Sequence, residues 1–453
     1  MIPVVDPSTE EVLGEVPEAG PAGVDAAVAR ARAAFGPWAA TPLQQRLATL
    51  DALAAALEER AATIGHTLAR EMGMPLAQAT AVQAALPVGV LRATVASARR
   101  FPFETTEDGA LVLREPAGVV AAITPWNFPL HQIAAKLGPA LAVGCTVVLK
   151  PSELAPLCVG ELVAAARDAG LPDGVLEVVH GTGPVTGRAL VEHPDVDVVS
   201  FTGSLAAGRE IGAAAGRAIR RACLELGGKS PLVVLPDADV EAAVRHAVTR
   251  CCFNSGQACN APTRLLLPAE RAADATALAG EVARGLRVGP ALQDGVDVGP
   301  VISAAARDRL RGVLRATEAT LVAGGPDDPP DVPDRGFWVA PTVLADVRPG
   351  MRVHDEELFG PILSVTTYTD EEDAVRLANA TPYGLSAELY GTDPDAIDRV
   401  ARRLRAGQVK VGGVSARATL GAPFGGYGLS GLGRELGTFG LEEFTEVKAV
   451  LGV

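Results

Sequence analysis

Residues 118–153 read GVVAAITPWNFPLHQIAAKLGPALAVGCTVVLKPSE, and this stretch decides the fold. GVVAAIT, 118–124, is a short β-branched run of the kind that fills a strand buried on both faces. The next five residues hold two prolines and read as a turn. Residues 131–143 are apolar enough for a buried helix, and Gly144 closes it. CTVVLK, 145–150, is the next strand, and Pro151-Ser152-Glu153 opens a helix that should end near Gly170. Strand, helix, strand and helix at this spacing indicate parallel βαβ units with helices on both faces of a sheet.

Working outward, residues 175–179 and 196–201 read as the third and fourth strands. GTGPVTG follows the third; Thr202-Gly203-Ser204 and a helix follow the fourth. Upstream, residues 21–70 read as helices, with apolar residues at helical spacing over 23–35 and 44–70. A second α/β region follows Glu225, with strands at 232–235, 263–267, 362–368 and 408–411. A loop rich in Pro, Asp and Gly, 324–336, should separate its halves. Residues 99–114 look like a protruding hairpin around a polar turn at 104–109, and 444–453 read as a strand. Neither has an obvious home in the two α/β regions, so both can add to a neighbouring subunit's sheet.

A chain of 453 residues is too long for one ordinary core. Its 54 acidic and 40 basic residues leave a net charge of −14, with no general attraction for nucleic acid or anionic lipid. The six cysteines lack paired zinc spacings, and a chain this large needs no disulfide staples, so they read as free thiols in a reducing compartment. Residues 1–16 have neither a basic start nor an apolar core like that of a signal peptide. No uninterrupted apolar run reaches the ~18 residues of a membrane span. The expectation is a cytoplasmic protein with no nucleic-acid or membrane partner.

Three short segments carry chemistry. In FNSGQACNAPTR, 253–264, Cys259 sits in a small, polar, glycine-containing stretch. A cysteine is most often a buried apolar residue, but these neighbours predict a sulfur exposed at a helix N-terminus, where the dipole favours a thiolate. In LELGGKSP, 224–231, Glu225 is flanked by leucines. It is either a salt-bridged structural residue or a carboxylate whose burial raises its pKa towards that of a usable base. In TPWNFPL, 124–130, Asn127 follows a strand end, as an Asx-turn residue or as a fixed amide that donates to an oxyanion. The cofactor signals are weaker. Gly181-Thr182-Gly183 followed by Gly187 misses G-x-G-x-x-G by one residue. Lys150 and Glu153 follow a strand end, where they can meet ribose hydroxyls or a phosphate, and Gly203-Ser204 opens a helix whose N–H groups suit a phosphate.

Taken together, TPWNFPL, KPSE at 150–153, FTGS at 201–204, LELGGKSP, FNSGQACNAPTR, EELFGP at 356–361, TPYGLSA at 381–387 and PFGGYGLSGLGRE at 423–435 make the sequence resemble the aldehyde dehydrogenase superfamily over nearly its whole length. The resemblance implies an α/β fold with a Rossmann-like cofactor domain (1–98 and 117–225), a second α/β catalytic domain (226–430) and a small β oligomerisation hairpin with a C-terminal element (99–116 and 431–453). It makes Cys259 the nucleophile and Glu225 the general base. Asn127 and the Cys259 backbone N–H form the oxyanion hole. Lys136 and Glu435 stand behind the site as a proton relay. Thr124, Pro125, Trp126, Lys150, Ser152, Glu153, Gly183, Phe201, Gly203, Ser204, Leu226, Glu357 and Phe359 match cofactor-binding positions. The cofactor implied is NAD, with NADP as the alternative, and the assembly a homodimer or homotetramer. Three features depart from the family pattern: a shorter N-terminus, Gly428 where many members carry lysine, and Gly412 where many carry asparagine.

The implied reaction oxidises an aldehyde to an acid through a thiohemiacetal and a thioester on Cys259, and it requires no metal. Glu225 argues against a coenzyme-A-acylating relative and against a reductive one working from an acyl phosphate. The intact trio of Cys259, Glu225 and Asn127 argues against a non-catalytic descendant of the fold. The substrate tunnel is expected from residues near 77–90, 126–131, 258–260 and 412–424. Leu86, Val88, Trp126 and Leu420 make it apolar, which favours a hydrophobic or medium-chain aldehyde. Arg417 is its one obvious cation.

Overall fold

The computed structural model describes residues 1–414 and 419–452. Strands β1 (Ile2–Val5) and β2 (Val12–Val16) pair at the N-terminus, and β3 (Glu104–Glu107) and β4 (Ala110–Pro116) form the hairpin. Then come β5 (Val119–Ile123), β6 (Thr146–Lys150), β7 (Leu176–Val178), β8 (Val198–Thr202) and β9 (Arg221–Glu225). The second region holds β10 (Pro231–Val234), β11 (Arg264–Pro268), β12 (Thr320–Ala323), β13 (Thr342–Ala345), β14 (Ile362–Tyr368), β15 (Ser386–Tyr390) and β16 (Gln408–Val411). Strands β17 (Gly431–Leu432) and β18 (Thr445–Val450) close the chain.

The six-stranded sheet runs β17-β9-β8-β5-β6-β7, and the seven-stranded sheet runs β12-β13-β14-β11-β10-β15-β16. Strands β5, β6 and β8 are buried at every residue, as a parallel sheet covered on both faces requires. The chain leaves β5 in one direction for β6 and β7, and returns on the other side for β8 and β9. That reversal puts a topological switch point between β5 and β8, with a crevice at their carboxyl ends. The helix Pro129–Val143 is buried on almost every side and packs on the helices Leu43–Glu59 and Ala85–Ala98. Pro129 starts it, and Gly144 ends it at a φ of 106°, where a side chain would be strained.

Several elements differ from the sequence reading. The helix expected from Pro151 begins only at Val159. Pro156 cannot donate to a helix ladder, and the buried carboxylate of Glu71 instead accepts the N–H groups of Leu157 (2.6 Å) and Cys158 (3.1 Å). The helical stretch 44–70 is two helices, Leu43–Glu59 and Ala61–Met72, which part at Arg60. The turn expected over 104–109 shrinks to Asp108-Gly109, because Glu104–Glu107 is already strand. Both turn residues have positive φ, the conformation of a tight two-residue hairpin loop. The 324–336 loop does not separate two halves: it joins β12 and β13, which are paired neighbours. The C-terminal strand has a home in its own chain, since β18 pairs with β4 from Thr445↔Pro116 to Val450↔Leu111, giving the three-stranded sheet β18-β4-β3. Just upstream, β17 pairs with β9 in the six-stranded sheet.

The helical run Leu76–Ala98 is long and apolar enough to cross a membrane by length and composition alone. Gln78, Gln83 and Arg92 interrupt it, so it holds no unbroken apolar run of that length. In this fold more than half of it is buried against neighbouring helices.

Candidate active site

The crevice at the β5–β8 switch point collects the residues singled out for a dinucleotide. Thr124 and Lys150 end neighbouring strands, and the Thr124 N–H donates to the Lys150 carbonyl at 3.1 Å. The Lys150 ammonium is nearly buried and donates to the Pro151 carbonyl (2.8 Å) and to Glu153 (3.2 Å). Burial lowers its pKa, and the Glu153 charge opposes that. Ser152 accepts the Leu154 N–H at 3.3 Å. Gly183 starts a widened helical turn, Gly183–Gly187, instead of a regular glycine loop. Ser204 caps the helix Leu205–Arg217 by accepting the Ala207 N–H at 3.3 Å. A cleft of ~540 Å³ lies between these two elements, lined by Ile123, Gly183, Gly187, Phe201, Ala207 and Ile211 among others. An apolar cleft at a switch point, beside a helix N-terminus and a lysine, fits a nucleotide base and its phosphates.

The other cofactor positions sit nearer the sulfur. The Gly203 N–H donates to the Glu225 carbonyl at 3.0 Å, and the Leu226 N–H to the Ser430 carbonyl at 2.9 Å. Glu357 accepts the Gly228 N–H at 3.0 Å, and burial pushes its carboxyl up to about 7. A Cβ on Gly227 would lie 1.8 Å from that carboxylate, so only glycine lets Glu357 approach the double-glycine turn. Phe359 stands edge-on to Trp126, ring centres 5.6 Å apart, and Pro125 is half-buried beside Trp126.

Cys259 is not at a helix N-terminus. It sits in a turn between the short 3₁₀ segment Phe253–Gly256 and β11. No helix dipole is aimed at it, and burial, reinforced by the Glu357 and Glu225 charges, pushes its thiol up to about 12. Lys410 and the Asn260 N–H act in the opposite sense. The loop before it is strained: Asn254, Ser255 and Gly256 all have positive φ, at 51°, 56° and 73°. Hydrogen bonds hold it there. Asn254 donates to the Asn127 carbonyl (3.1 Å), Ser255 to the Gly299 carbonyl (2.8 Å), and Gln257 accepts the Ile302 N–H (2.8 Å). The Asn127 amide donates to the Gln257 carbonyl at 2.9 Å, which ties it to the loop two residues before Cys259. A primary amide has two N–H groups, so this contact uses one of them.

Glu225, at the end of β9, is 1% exposed, and neither of its carboxylate oxygens has a hydrogen-bond partner among the described residues. Burial raises its pKa well above the ordinary value, the nearby Glu435 adds to this, and Lys136 and Arg434 oppose it. Lys136 is fully buried; it pairs with Glu435 and donates to the Thr202 hydroxyl at 2.7 Å. Thr202 in turn donates to the Gln132 side-chain carbonyl at 3.2 Å.

Cys259 opens on a cavity of ~290 Å³. Val82, Leu86, Phe128, His131, Asn260, Gly413, Val414, Thr419, Leu420 and Phe424 line it, all from the segments expected to build the tunnel. Val88 does not: it is buried in the helical core, and Trp126 faces Phe359. Arg417 lies outside the described residues. The sequence reading missed one whole wall, made of His246, Arg250, Phe253, Glu388, Gln408 and Lys410. A signal was present: charges at Glu388 and Lys410 interrupt the strands SAELY and QVKV.

The fold and site together define a dinucleotide-type α/β enzyme scaffold with a cysteine at the head of a substrate-sized cavity. A model of the aldehyde dehydrogenase family matches residues 1–450, and the chain belongs to that family. It is 41% identical to a 3-succinoylsemialdehyde-pyridine dehydrogenase of a Pseudomonas species, over 99% of this chain and 94% of the relative. Among solved structures it superposes with a TM-score of 0.97 on a cysteine-to-alanine variant of aldehyde dehydrogenase C from Pseudomonas syringae, complexed with NAD+ and octanal. That pair is 42% identical over 100% of this chain and 93% of the other. The aldehyde dehydrogenase of Mycobacterium tuberculosis complexed with NAD+ gives a TM-score of 0.96 at 40% identity, covering 99% and 94% of the two chains.

Proposed function

We propose that the chain oxidises an aldehyde to a carboxylic acid, with NAD as hydride acceptor and Cys259 as nucleophile. The observation that carries this reading is Glu225: a buried carboxylate with no hydrogen-bond partner among the described residues, whose charge acts on the Cys259 sulfur. Such a group is suited to take a proton from whatever enters between them.

Glu225 takes the Cys259 proton as the sulfur attacks the aldehyde carbon. The oxyanion formed accepts from the Asn127 amide and the Cys259 N–H; losing one such donor typically costs about 3 kcal/mol. NAD, when bound, supplies the electrophilic nicotinamide that removes the hydride. Lys150, Ser152, Glu153, Gly183, Phe201 and Ser204 would hold its adenosine and phosphates, and Thr124 to Trp126, Gly203, Leu226, Glu357 and Phe359 would line its nicotinamide end. Glu225 then takes a proton from water, whose oxygen attacks the Cys259 thioester and releases the acid. The buried Lys136–Glu435 pair, whose charges act on Glu225, stands behind the site as the relay for its proton.

The apolar cavity suits an aldehyde with a hydrophobic body, in line with the octanal held by the Pseudomonas syringae neighbour. Six free thiols suit a reducing, cytoplasmic setting. The exposed edges of β3 and β18 suit a homodimer or a tetramer of two dimers. NADH formation with butanal, hexanal and benzaldehyde, each with and without coenzyme A or phosphate, tests the reading. Acid production without either addition is expected. Turnover that depends on coenzyme A would replace this reading with the acylating one.

A further inference from the structure

One wall of the substrate cavity is ionic. Glu388 on β15 and Lys410 on β16 are register partners on neighbouring parallel strands, so their side chains emerge on one face. The Lys410 ammonium lies 3.7 Å from one Glu388 oxygen, and His246 Nε2 lies 2.6 Å from the other. Burial pushes the Glu388 carboxyl up, but the His246 hydrogen bond, Lys410 and Arg250 outweigh it and leave its pKa below the ordinary value. Glu388 is therefore ionised and already engaged on both oxygens.

Arg250 lies one helical turn beyond His246, with its guanidinium over the Phe253 ring, 5.0 Å from the ring centre. It has no carboxylate within 4 Å among the described residues. The charged groups lining the described cavity are Arg250, Lys410 and Glu388; His131, also in the wall, is held neutral by burial, which pushes its pKa down to about 4. One positive charge is left over, in a cavity whose remaining wall is largely apolar. His131 Nδ1 is a further buried polar atom with no partner there.

We propose that Arg250, supported by Lys410, binds a carboxylate at the far end of the substrate, so that the preferred substrates are semialdehydes with an apolar chain between the aldehyde and the acid. The proposal rests on the aldehyde-oxidising reading above and narrows its substrate class. An arginine with no carboxylate partner among the described residues presents its planar fork to a substrate carboxylate, and the Phe253 ring beneath it helps hold it in the wall. Glu388 does not repel such a tail, because Lys410 offsets its charge and the His246 contact engages its other oxygen.

The test compares kcat/KM for succinate semialdehyde against butanal and adipate semialdehyde against hexanal, pairs matched in chain length. A charge-assisted contact in a half-buried wall should favour the semialdehyde by about tenfold or more in at least one pair. Arg250→Gln should bring that ratio down towards one, chiefly through KM, and Arg250→Lys should restore part of it. Lys410→Gln should lower the ratio as well, and the two Arg250 variants decide the matter if that variant does not fold. A wild-type ratio of one or below in both pairs, or a ratio that survives in Arg250→Gln, overturns the carboxylate site while butanal and hexanal oxidation still stand. Absence of NADH formation with all four compounds overturns the aldehyde-oxidising reading itself.

Discussion

At Cys259 the protein keeps a thiol that burial, Glu357 and Glu225 all hold in its protonated form. With its pKa raised, the free sulfur is almost wholly thiol at pH 7, so it depends on a base at the moment of attack. Iodoacetamide labelling of the free enzyme should therefore rise about tenfold per pH unit between about pH 7 and pH 9; a plateau below pH 8 would show a pre-formed thiolate. Cys259→Ala should abolish both labelling and turnover while NAD still binds, as judged by protein fluorescence. Glu225→Gln should lower steady-state turnover about 10²–10⁴-fold, and full turnover in that variant would remove Glu225 from the role of base. Glu225 also ties stability to pH. Its folded pKa is raised, so the folded state holds a proton that the unfolded chain releases once pH passes its ordinary value. The stability it contributes is complete below about pH 4.5 and is lost as pH rises towards the folded pKa. Glu225→Gln should thus melt higher than wild type at pH 8, with the gap closing towards pH 5; an equal gap at both pH values would contradict the buried charge. Glu153, paired with Lys150 at the crevice, is a negative charge that would repel a phosphate on a ribose bound beside it. NAD should be preferred over NADP, and Glu153→Gln should narrow the preference; equal kcat/KM with both cofactors in the wild type would refute it.

The elements carry these side chains with different legibility in the sequence. Strand β14 lies at the residues its apolar run marks, and β5 and β6 within one or two of theirs, because a strand buried on both faces leaves no other reading; the half-buried β16 also lies at 408–411. The boundaries set from afar were not legible. The helix after Lys150 starts late because Glu71, some eighty residues earlier in the chain, takes the N–H groups its first turn would have used. The contiguous motifs around Asn127, Glu225 and Cys259 could be read directly. The ionic cavity wall was marked only by the charges within SAELY and QVKV; its assembly could not be read, because His246, Glu388 and Lys410 meet only through helix packing and the β15–β16 register. Nor could the strained loop be foreseen, since left-handed Asn254 and Ser255 are paid for by hydrogen bonds to Asn127, Gly299 and Gln257. Gly256 is where that loop is least tolerant. Its φ is 73°, and a Cβ there would lie 2.1 Å from the Gly360 carbonyl carbon, part of immovable backbone. Gly256→Ala should move Cys259 out of line and cut kcat/KM by about 10²-fold or more, with NAD affinity retained. Wild-type kcat/KM in a folded Gly256→Ala protein would show that the loop does not position the sulfur.

For the whole molecule, the three-stranded sheet β18-β4-β3 is the part least explained by the chain's own packing. It stands apart from the two large sheets, and both its outer strands present edges with no partner strand in the described chain. Along β18 only Thr445 is buried; Val447 is 60% exposed and Val450, at the strand's end, is half-buried. On β4, every residue is half-buried, including the apolar run Leu111, Val112 and Leu113. A small sheet with open edges and half-covered apolar faces is marginal by itself and prone to pair with another chain. An isologous contact that extends this sheet across a two-fold axis would cover both features at once, and two such dimers would make a closed tetramer. Light scattering at micromolar concentration should therefore give the mass of a dimer or a tetramer. Val447→Asp, which places a charge on the exposed strand without touching either α/β region, should shift the mass towards the monomer and lower the melting temperature. A wild-type chain that stays monomeric at that concentration would end the proposal, and a Val447→Asp variant with unchanged mass would move the interface away from β18.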